Sequence, residues 1–404
     1  MKTNVMLIIP EMCMGGAQRS LANLSHELAK KANIFFVVFN NQEEVYYPIS
    51  GTLLSLEVYP GKGWLNKALA LWKRVKKLKE LKTKLAIDVS ISFLEGADYV
   101  NVLSKGKDKV ILSVRGSKLH DEIMRGYHFW FRSKILIPSI YKKADLIVAV
   151  NQGIKNELVD YYGMANNKIQ VINNFYDFSE IGSRSKELKE GILEELYQHP
   201  TIVTTGRLAP EKRLPYLLEI FKELKQIKPD VRFVIVGDGP GRKKIIEICE
   251  QTNLRLSEDF YAKEMPDVFL TGNQQNVFKY LHGSSLYLMN SSSEGFPNGM
   301  IEAMICGVPI ISADCPYGPR EILAPEIDKS FEVIKQYNTP CGILMPLPNS
   351  DGERGLWVNA IISILDNDVF RNQMADKGKE RVKEFDKTAI LSKWSSLMSG
   401  ERFS

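Results

Sequence analysis

Short runs rich in valine, isoleucine and phenylalanine alternate with helical patterns along the chain, and this alternation decides what it can fold into. "VMLIIP" leads into "AQRSLANLSHELAKK", whose Leu21, Leu24 and Leu28 share one helical face. "IFFVVF", "AIDVSISF", "KVILSV" and "ADLIVAV" follow. Further on come "TIVTTG", "VRFVIVG", "VFLTG", "LYLMN" and "VPIIS". Buried strands that alternate with helices imply parallel sheets covered on both faces. The periodicity lapses between residues 171 and 191, in "VINNFYDFSEIGSRSKELKEG". At 404 residues the chain is too long for one ordinary core. The reading is therefore α/β, with two doubly wound, Rossmann-like domains, 1–180 and from 181 onward. No internal repeat relates them beyond shared architecture.

Hydrophobic content of 44% and charged content of 25% are those of a globular protein. A net charge of +5 is too mild to argue for nucleic acid. Five scattered cysteines without CxxC spacing read as reduced thiols of a cytoplasmic protein, not as disulfides or a zinc site. No stretch approaches the roughly 20 apolar residues of a membrane span.

In open parallel sheets, ligands bind outside the carboxyl ends of the strands, where helix N-termini point. The informative loops fall there. "SSSEGFPNGMIEAM" carries Glu294 in a loop and Glu302 inside the following helix. Glycines Gly295 and Gly299 would let backbone approach a ligand. Each carboxylate accepts hydrogen bonds only, so Glu294 suits sugar hydroxyls and Glu302 a ribose diol. The same residue near a helix start is also favoured by the helix dipole alone. "TTGRLAPEKRLPYL" places Gly206, Arg207 and Lys212 after a strand. Two cations there fit a diphosphate, or else a solvated basic loop. Gly15 and Gly16 sit between the first strand and its helix, as a phosphate approach or a tight turn. "VGDGPGRKK" lacks the spacing and the following acid of a nicotinamide fingerprint.

Together these residues resemble the retaining glycosyltransferases of family 4, which have the GT-B fold. The resemblance spans essentially the whole chain. Its most specific element is the E-x7-E pattern of Glu294 and Glu302, paired with "GRLAPEKR". It implies two domains facing across a cleft, with acceptor on the N-terminal side and nucleotide sugar on the C-terminal side. A final helix, about 386–404, would cross back onto the N-terminal domain. It also implies Glu302 on the ribose, Glu294 on the donor sugar, and Arg207 and Lys212 on the diphosphate. Amides of Phe296, Pro297's neighbour Asn298, Gly299 and Met300 would meet sugar and phosphate, and Asn273, Gln274 and Gln275 would cradle the base. Gln18 stands where the family often has an acid, and Arg213 where glycine is common. Arg115 replaces a histidine that many relatives place near the sugar, with His120 a second candidate.

The reaction implied moves a hexosyl or N-acetylhexosaminyl group from a nucleotide-diphosphate sugar, with UDP expected, to a glycan or lipid-linked acceptor. It proceeds with retention by a front-face route, without metal or cofactor. Alternatives are a sugar-nucleotide epimerase, which needs no acceptor, and a non-catalytic nucleotide-sugar-binding partner. Residues 62–84 form a basic amphipathic segment with Trp64, Leu65, Leu69, Trp72, Val75 and Leu78 at helical spacing. It reads either as a helix packed on the N-terminal sheet or as a contact to an anionic membrane at its inner face. "YHFWFRSK", at 127–134, adds an aromatic cluster open to core or acceptor-surface readings.

Overall fold

A computed structural model gives the protein's structure and describes residues 2–40, 45–119, 126–327, 331–348 and 351–399. The chain divides into two compact units. One runs to Phe175 and takes up the chain again from Thr388; the other spans Tyr176–Lys387. These boundaries lie within a few residues of 180 and 386, the positions expected from the sequence.

The first unit holds strands β1 (Asn4–Ile8), β2 (Asn33–Val38), β3 (Thr52–Ser55), β4 (Val89–Phe93), β5 (Lys109–Val114), β6 (Leu146–Ala149) and β7 (Ile169–Val171). They form one parallel sheet in the order β3-β2-β1-β4-β5-β6-β7. Side chains alternate across it. Val5, Leu7 and Ile9 pack with Leu21, Leu24 and Leu28 of helix Gly16–Ala29. Ile390, Trp394 and Leu397 of helix Lys387–Ser399 complete that face. Met6 and Ile8 face the other way, toward Ala70 and Leu78 of helix Trp64–Lys84 and Ala97 and Val100 of helix Glu95–Leu103.

The second unit holds β8 (Thr201–Thr205), β9 (Arg232–Val236), β10 (Leu256–Ser257), β11 (Val268–Leu270), β12 (Leu286–Met289), β13 (Ile310–Ala313), β14 (Tyr337–Thr339) and β15 (Gly342–Met345). Their order is β10-β11-β9-β8-β12-β13-β15-β14, parallel except for the last pair. Leu217, Phe221 and Leu224 of helix Leu214–Ile227 and Trp357, Ile361 and Ile364 of helix Asp351–Leu365 share one core with Phe233 and Ile235.

Each sheet reverses its winding once, between β1 and β4 and between β8 and β12. Such a switch point leaves a crevice between loops that diverge to opposite sides. The second unit is closed where the chain enters and leaves it. Tyr176 N donates to Phe385 O, and Lys387 N to Tyr176 O, each at 3.0 Å. The Lys387 ammonium also pairs with Asp177, which caps helix Phe178–Ser185.

Candidate active site

The crevice between β8 and β12 holds the cations and the first glutamate. Lys212 Nζ donates to Glu294 Oε1 at 2.5 Å, and Ser291 Oγ donates to the same oxygen at 2.6 Å. Burial alone would push the Lys212 ammonium down; the charge and hydrogen bond of Glu294 outweigh it and hold the pKa above the ordinary lysine value. Arg207 is half exposed beside them, 3.4 Å from Glu211. Gly206, Arg207, Lys212, Asn290 and Ser291 line one depression.

The loop after β8 is shaped by the loop after β9. Gly206 N donates to Val236 O, Leu208 N to Asp238 O, and Gly241 N to Leu208 O. A Cβ at Gly237 would lie 2.0 Å from Gly206 O, and at Gly239 2.8 Å from Leu208 N. This explains "GDGPG": its glycines let one loop backbone lie against the other and fix Arg207 at the crevice rim.

The helix expected to start at Asn298 or Gly299 and reach Cys306 is Asn298–Ile305. It carries Glu302 inward, 2% exposed. Asn298 Oδ1 accepts from Tyr176 Oη at 2.5 Å, and Phe296 meets Phe385 edge-on at 5.1 Å. Gly299 has a different reason from the one its sequence position suggested. A Cβ there would meet Thr205 Oγ1 at 2.2 Å and Tyr287 Oη at 2.6 Å. The glycine admits protein atoms of β8 and β12, so helix packing accounts for it without a ligand. Gly295 and Met300 flank this turn, Met300 fully buried.

Sequence reasoning missed the loop after β13. Glu294 N donates to Pro316 O at 3.5 Å, and Tyr317 and Gly318 both adopt positive φ, 62° and 76°. A Cβ at Gly318 would press on Pro297 Cδ at 2.9 Å. Cys315 is buried there; burial first, then the Glu294 charge, push its thiol well above the ordinary value. The "YG" pair after "DCP" was the available signal for a tight left-handed turn. Tyr176 gave no signal, since only the fold brings it to Asn298, and the run "SSSEG" does not say which serine bonds Glu294.

The segment Asn273–Gln275 follows β11 and Gly272. Arg184 Nη2 donates to Gln275 O at 2.8 Å, Asn276 Nδ2 donates to Arg184 O at 2.8 Å, and Gln274 Nε2 donates to Thr271 O at 2.8 Å. Helix Phe178–Ser185 thus pins this loop.

The remaining predicted residues belong to the first unit. Gly15 precedes helix Gly16–Ala29, and Gln18 folds so closely over it that a Cβ would lie 2.3 Å from Gln18 Oε1. Arg115 follows β5, stacks 5.2 Å above the Phe93 ring and lines a depression with Asn23, Asn173, Asn174 and Trp394. His120 lies outside the described residues. Among the described residues no cluster of three or more His, Cys, Asp or Glu could hold a metal ion.

Residues 186–381 match the family of glycosyl transferases group 1, and residues 14–180 match Glycosyltransferase Family 4. The chain belongs to the GT-B glycosyltransferases. Among relatives of this glycosyltransferase, an uncharacterised glycosyltransferase of Methanocaldococcus jannaschii is 28% identical over 81% of this chain and 82% of its own length. A Campylobacter jejuni enzyme, N-acetylgalactosamine-N,N'-diacetylbacillosaminyl-diphospho-undecaprenol 4-alpha-N-acetylgalactosaminyltransferase, is 25% identical over 95% of this chain and 96% of its own. Among solved structures, Anabaena HepE in complex with UDP and glucose superimposes with a TM-score of 0.73 at 17% identity, covering 98% of this chain and 99% of that one. Sucrose-phosphate synthase of Thermosynechococcus elongatus gives 0.75 at 15% identity, covering 99% of each. These likenesses assign the glycosyltransferase its GT-B fold.

Proposed function

We propose that the protein transfers a hexosyl or N-acetylhexosaminyl group from a UDP-sugar to a lipid-linked or oligosaccharide acceptor, with retention of anomeric configuration. The observation that carries this is the Lys212–Glu294 pair at the β8/β12 crevice, with Arg207 on its rim. Cations aimed where a diphosphate leaves stabilise the charge that develops in the transition state. The C1–phosphate bond breaks as the acceptor oxygen bonds to C1 on the same face, and the acceptor proton passes to the leaving diphosphate. Glu294, oriented by Lys212 and Ser291, then positions the sugar, and no covalent step is assigned to it. Glu302 receives the ribose, the amides from Phe296 to Met300 meet sugar and phosphate, and Asn273–Gln275 cradle the base. No metal and no cofactor takes part.

The Anabaena neighbour holds UDP and glucose, and the Campylobacter relative acts on a diphospho-undecaprenol acceptor, which supports the choice of donor and acceptor. The test is a nucleotide-release assay across UDP-, GDP- and ADP-sugars, with and without polyprenyl-diphosphate glycan, in EDTA. UDP release stimulated by acceptor and indifferent to EDTA is expected. Release restored only by magnesium would overturn the metal-free mechanism. Sugar-nucleotide epimerisation without acceptor would overturn transfer.

A further inference from the structure

The helix Trp64–Lys84 buries only part of the apolar stripe at helical spacing. Ala70 and Leu78 pack on the sheet, with Leu71, Val75 and Leu81 beside them. Trp64, Leu65, Leu69 and Trp72 point the other way and stand 77%, 64%, 48% and 59% exposed. Leu65, Leu69 and Trp72 are four and three residues apart, so they share one outward face over the first turns. Lys73 and Lys76 continue that face, with Lys76 Nζ 5.7 Å from the Trp72 ring centroid.

A second apolar footing stands at the same end of the sheet. Helix Gly126–Phe131 follows the carboxyl end of β5, before the chain returns to β6. Helix Trp64–Lys84 begins beyond the carboxyl end of β3 and runs back to β4, so Trp64 also lies at that end. Tyr127 and Trp130 are 73% and 50% exposed and stack on each other at 5.8 Å; Phe131 is exposed beside them. The footing is held rigidly from below. A π-helical turn, Arg132–Leu136, directs Arg132 inward to a two-bond pairing with Glu95, 2.7 and 2.5 Å, while Phe131 and Ile135 stay outside. Helix Glu95–Leu103 packs between helix Trp64–Lys84 and helix Ile137–Tyr141, which places both footings on one face of the sheet.

We propose that these two footings insert together into the interface of an anionic lipid bilayer. Charge complementarity selects this occupant: residues 62–84 carry nine lysines and arginines against one acid, Glu80. Tryptophan and tyrosine prefer the headgroup level, where apolar ring and polar edge are both satisfied. The structure also separates anchoring cations from structural ones. Arg74 donates to Val58 O, Lys77 to Leu56 O, and Lys82 pairs with Asp108, so these three hold the helix to its own unit. Lys67, Lys73, Lys76 and Lys79 are exposed and face solvent. The inference rests on exposure and charge alone and stands apart from the proposed glycosyl transfer.

The protein's own tryptophans report the result. Trp64, Trp72 and Trp130 are exposed, and Trp357 and Trp394 are buried. On titration of the full chain with phosphatidylglycerol vesicles at low salt, emission should shift to the blue, and brominated acyl chains should quench it. Lys→Gln changes at Lys67, Lys73, Lys76 and Lys79 should weaken binding by about fivefold per lysine. Trp64→Ser with Trp72→Ser, and Trp130→Ser alone, should each weaken it by roughly tenfold. Circular dichroism and UDP-induced thermal shift serve as folding controls. Absence of binding by the wild type would overturn the proposal, as would binding without quenching, which is surface attraction alone. Equal binding by Trp130→Ser would remove the second footing. Blue-shifted emission without lipid, with dimers in sedimentation, would assign these faces to a second copy instead.

Discussion

Lys212 and Glu294 form a pair whose partners are 82 residues apart, and Glu294 holds the Lys212 ammonium charged in a partly buried place. Removing either group leaves its partner's charge uncompensated, so activity and stability have to be measured together. Arg207→Ala and Lys212→Ala should each lower kcat/KM by about 100-fold, the scale of losing one charge-stabilising donor. Their double variant should fall short of the product of the two losses, because both serve one diphosphate; full multiplicativity would mean separate roles. Glu302→Ala should weaken UDP binding by roughly 1–3 kcal/mol in calorimetry, through loss of a buried acceptor. Away from the site, Asp98 is fully buried and accepts from Ser92 and Tyr141, and burial pushes its carboxyl up to about 7. Below pH 3.8 folded and unfolded chains both hold this proton. Between there and about 7 only the folded chain does, so stability falls as pH rises through that window and then levels. Urea titrations should show Asp98→Asn free of that slope, by on the order of a few kcal/mol; parallel curves would refute it. Residue type and spacing singled out Arg207, Lys212 and Glu294, which the fold brings to one crevice. Cys315 and Tyr176 were not singled out, because a thiol and a tyrosine have many uses and only tertiary contact selects one.

Elements were legible where burial is complete. Strands such as β1, β4 and β9 bury both faces and read as unbroken apolar runs. β3, β7, β10 and the β14–β15 hairpin were missed. Most are short, and β3 and β10 are only partly buried, so their side chains carry little pattern. The helix Trp64–Lys84 stayed open between two readings, because two apolar faces share one period and spacing alone cannot say which is covered. Two connections invite direct tests. Arg213, where relatives commonly have glycine, sits at φ 50° ahead of helix Leu214–Ile227. Its guanidinium donates to Pro348 O at 2.6 Å and stacks 4.3 Å over Tyr216. Arg213→Gly relieves about 1 kcal/mol of backbone strain and forfeits a similar amount of contact. The melting temperature should therefore move little, whereas Arg213→Ala, which keeps the strain and loses the contact, should melt lower. Gly299→Ala should cost about 1–3 kcal/mol through its clash with Thr205 and Tyr287. A variant as stable as wild type would show that this helix start yields without cost.

At the scale of the molecule, the division of the core has thermodynamic consequences. Trp394 is 3% exposed and joins the core of the first unit from the far end of the chain. Trp394→Ala should destabilise that unit by about 3–5 kcal/mol. In calorimetry one transition should fall, while the one raised by UDP should stay in place; a common shift of both would mean that the units melt as one. The architecture was legible because alternating strands and helices leave few ways to bury both faces of a sheet. The same division also orders events during synthesis. The second unit is one unbroken stretch and can close on itself as soon as it leaves the ribosome. The first unit is made earlier but is completed later. Between translation of Phe175 and of Leu397, for roughly 10 to 45 seconds at ordinary elongation rates, the sheet face built on Leu7, Phe36 and Ile91 waits for its last helix. The nascent chain thus finishes its beginning last, and during that interval this open apolar face is where a chaperone would bind.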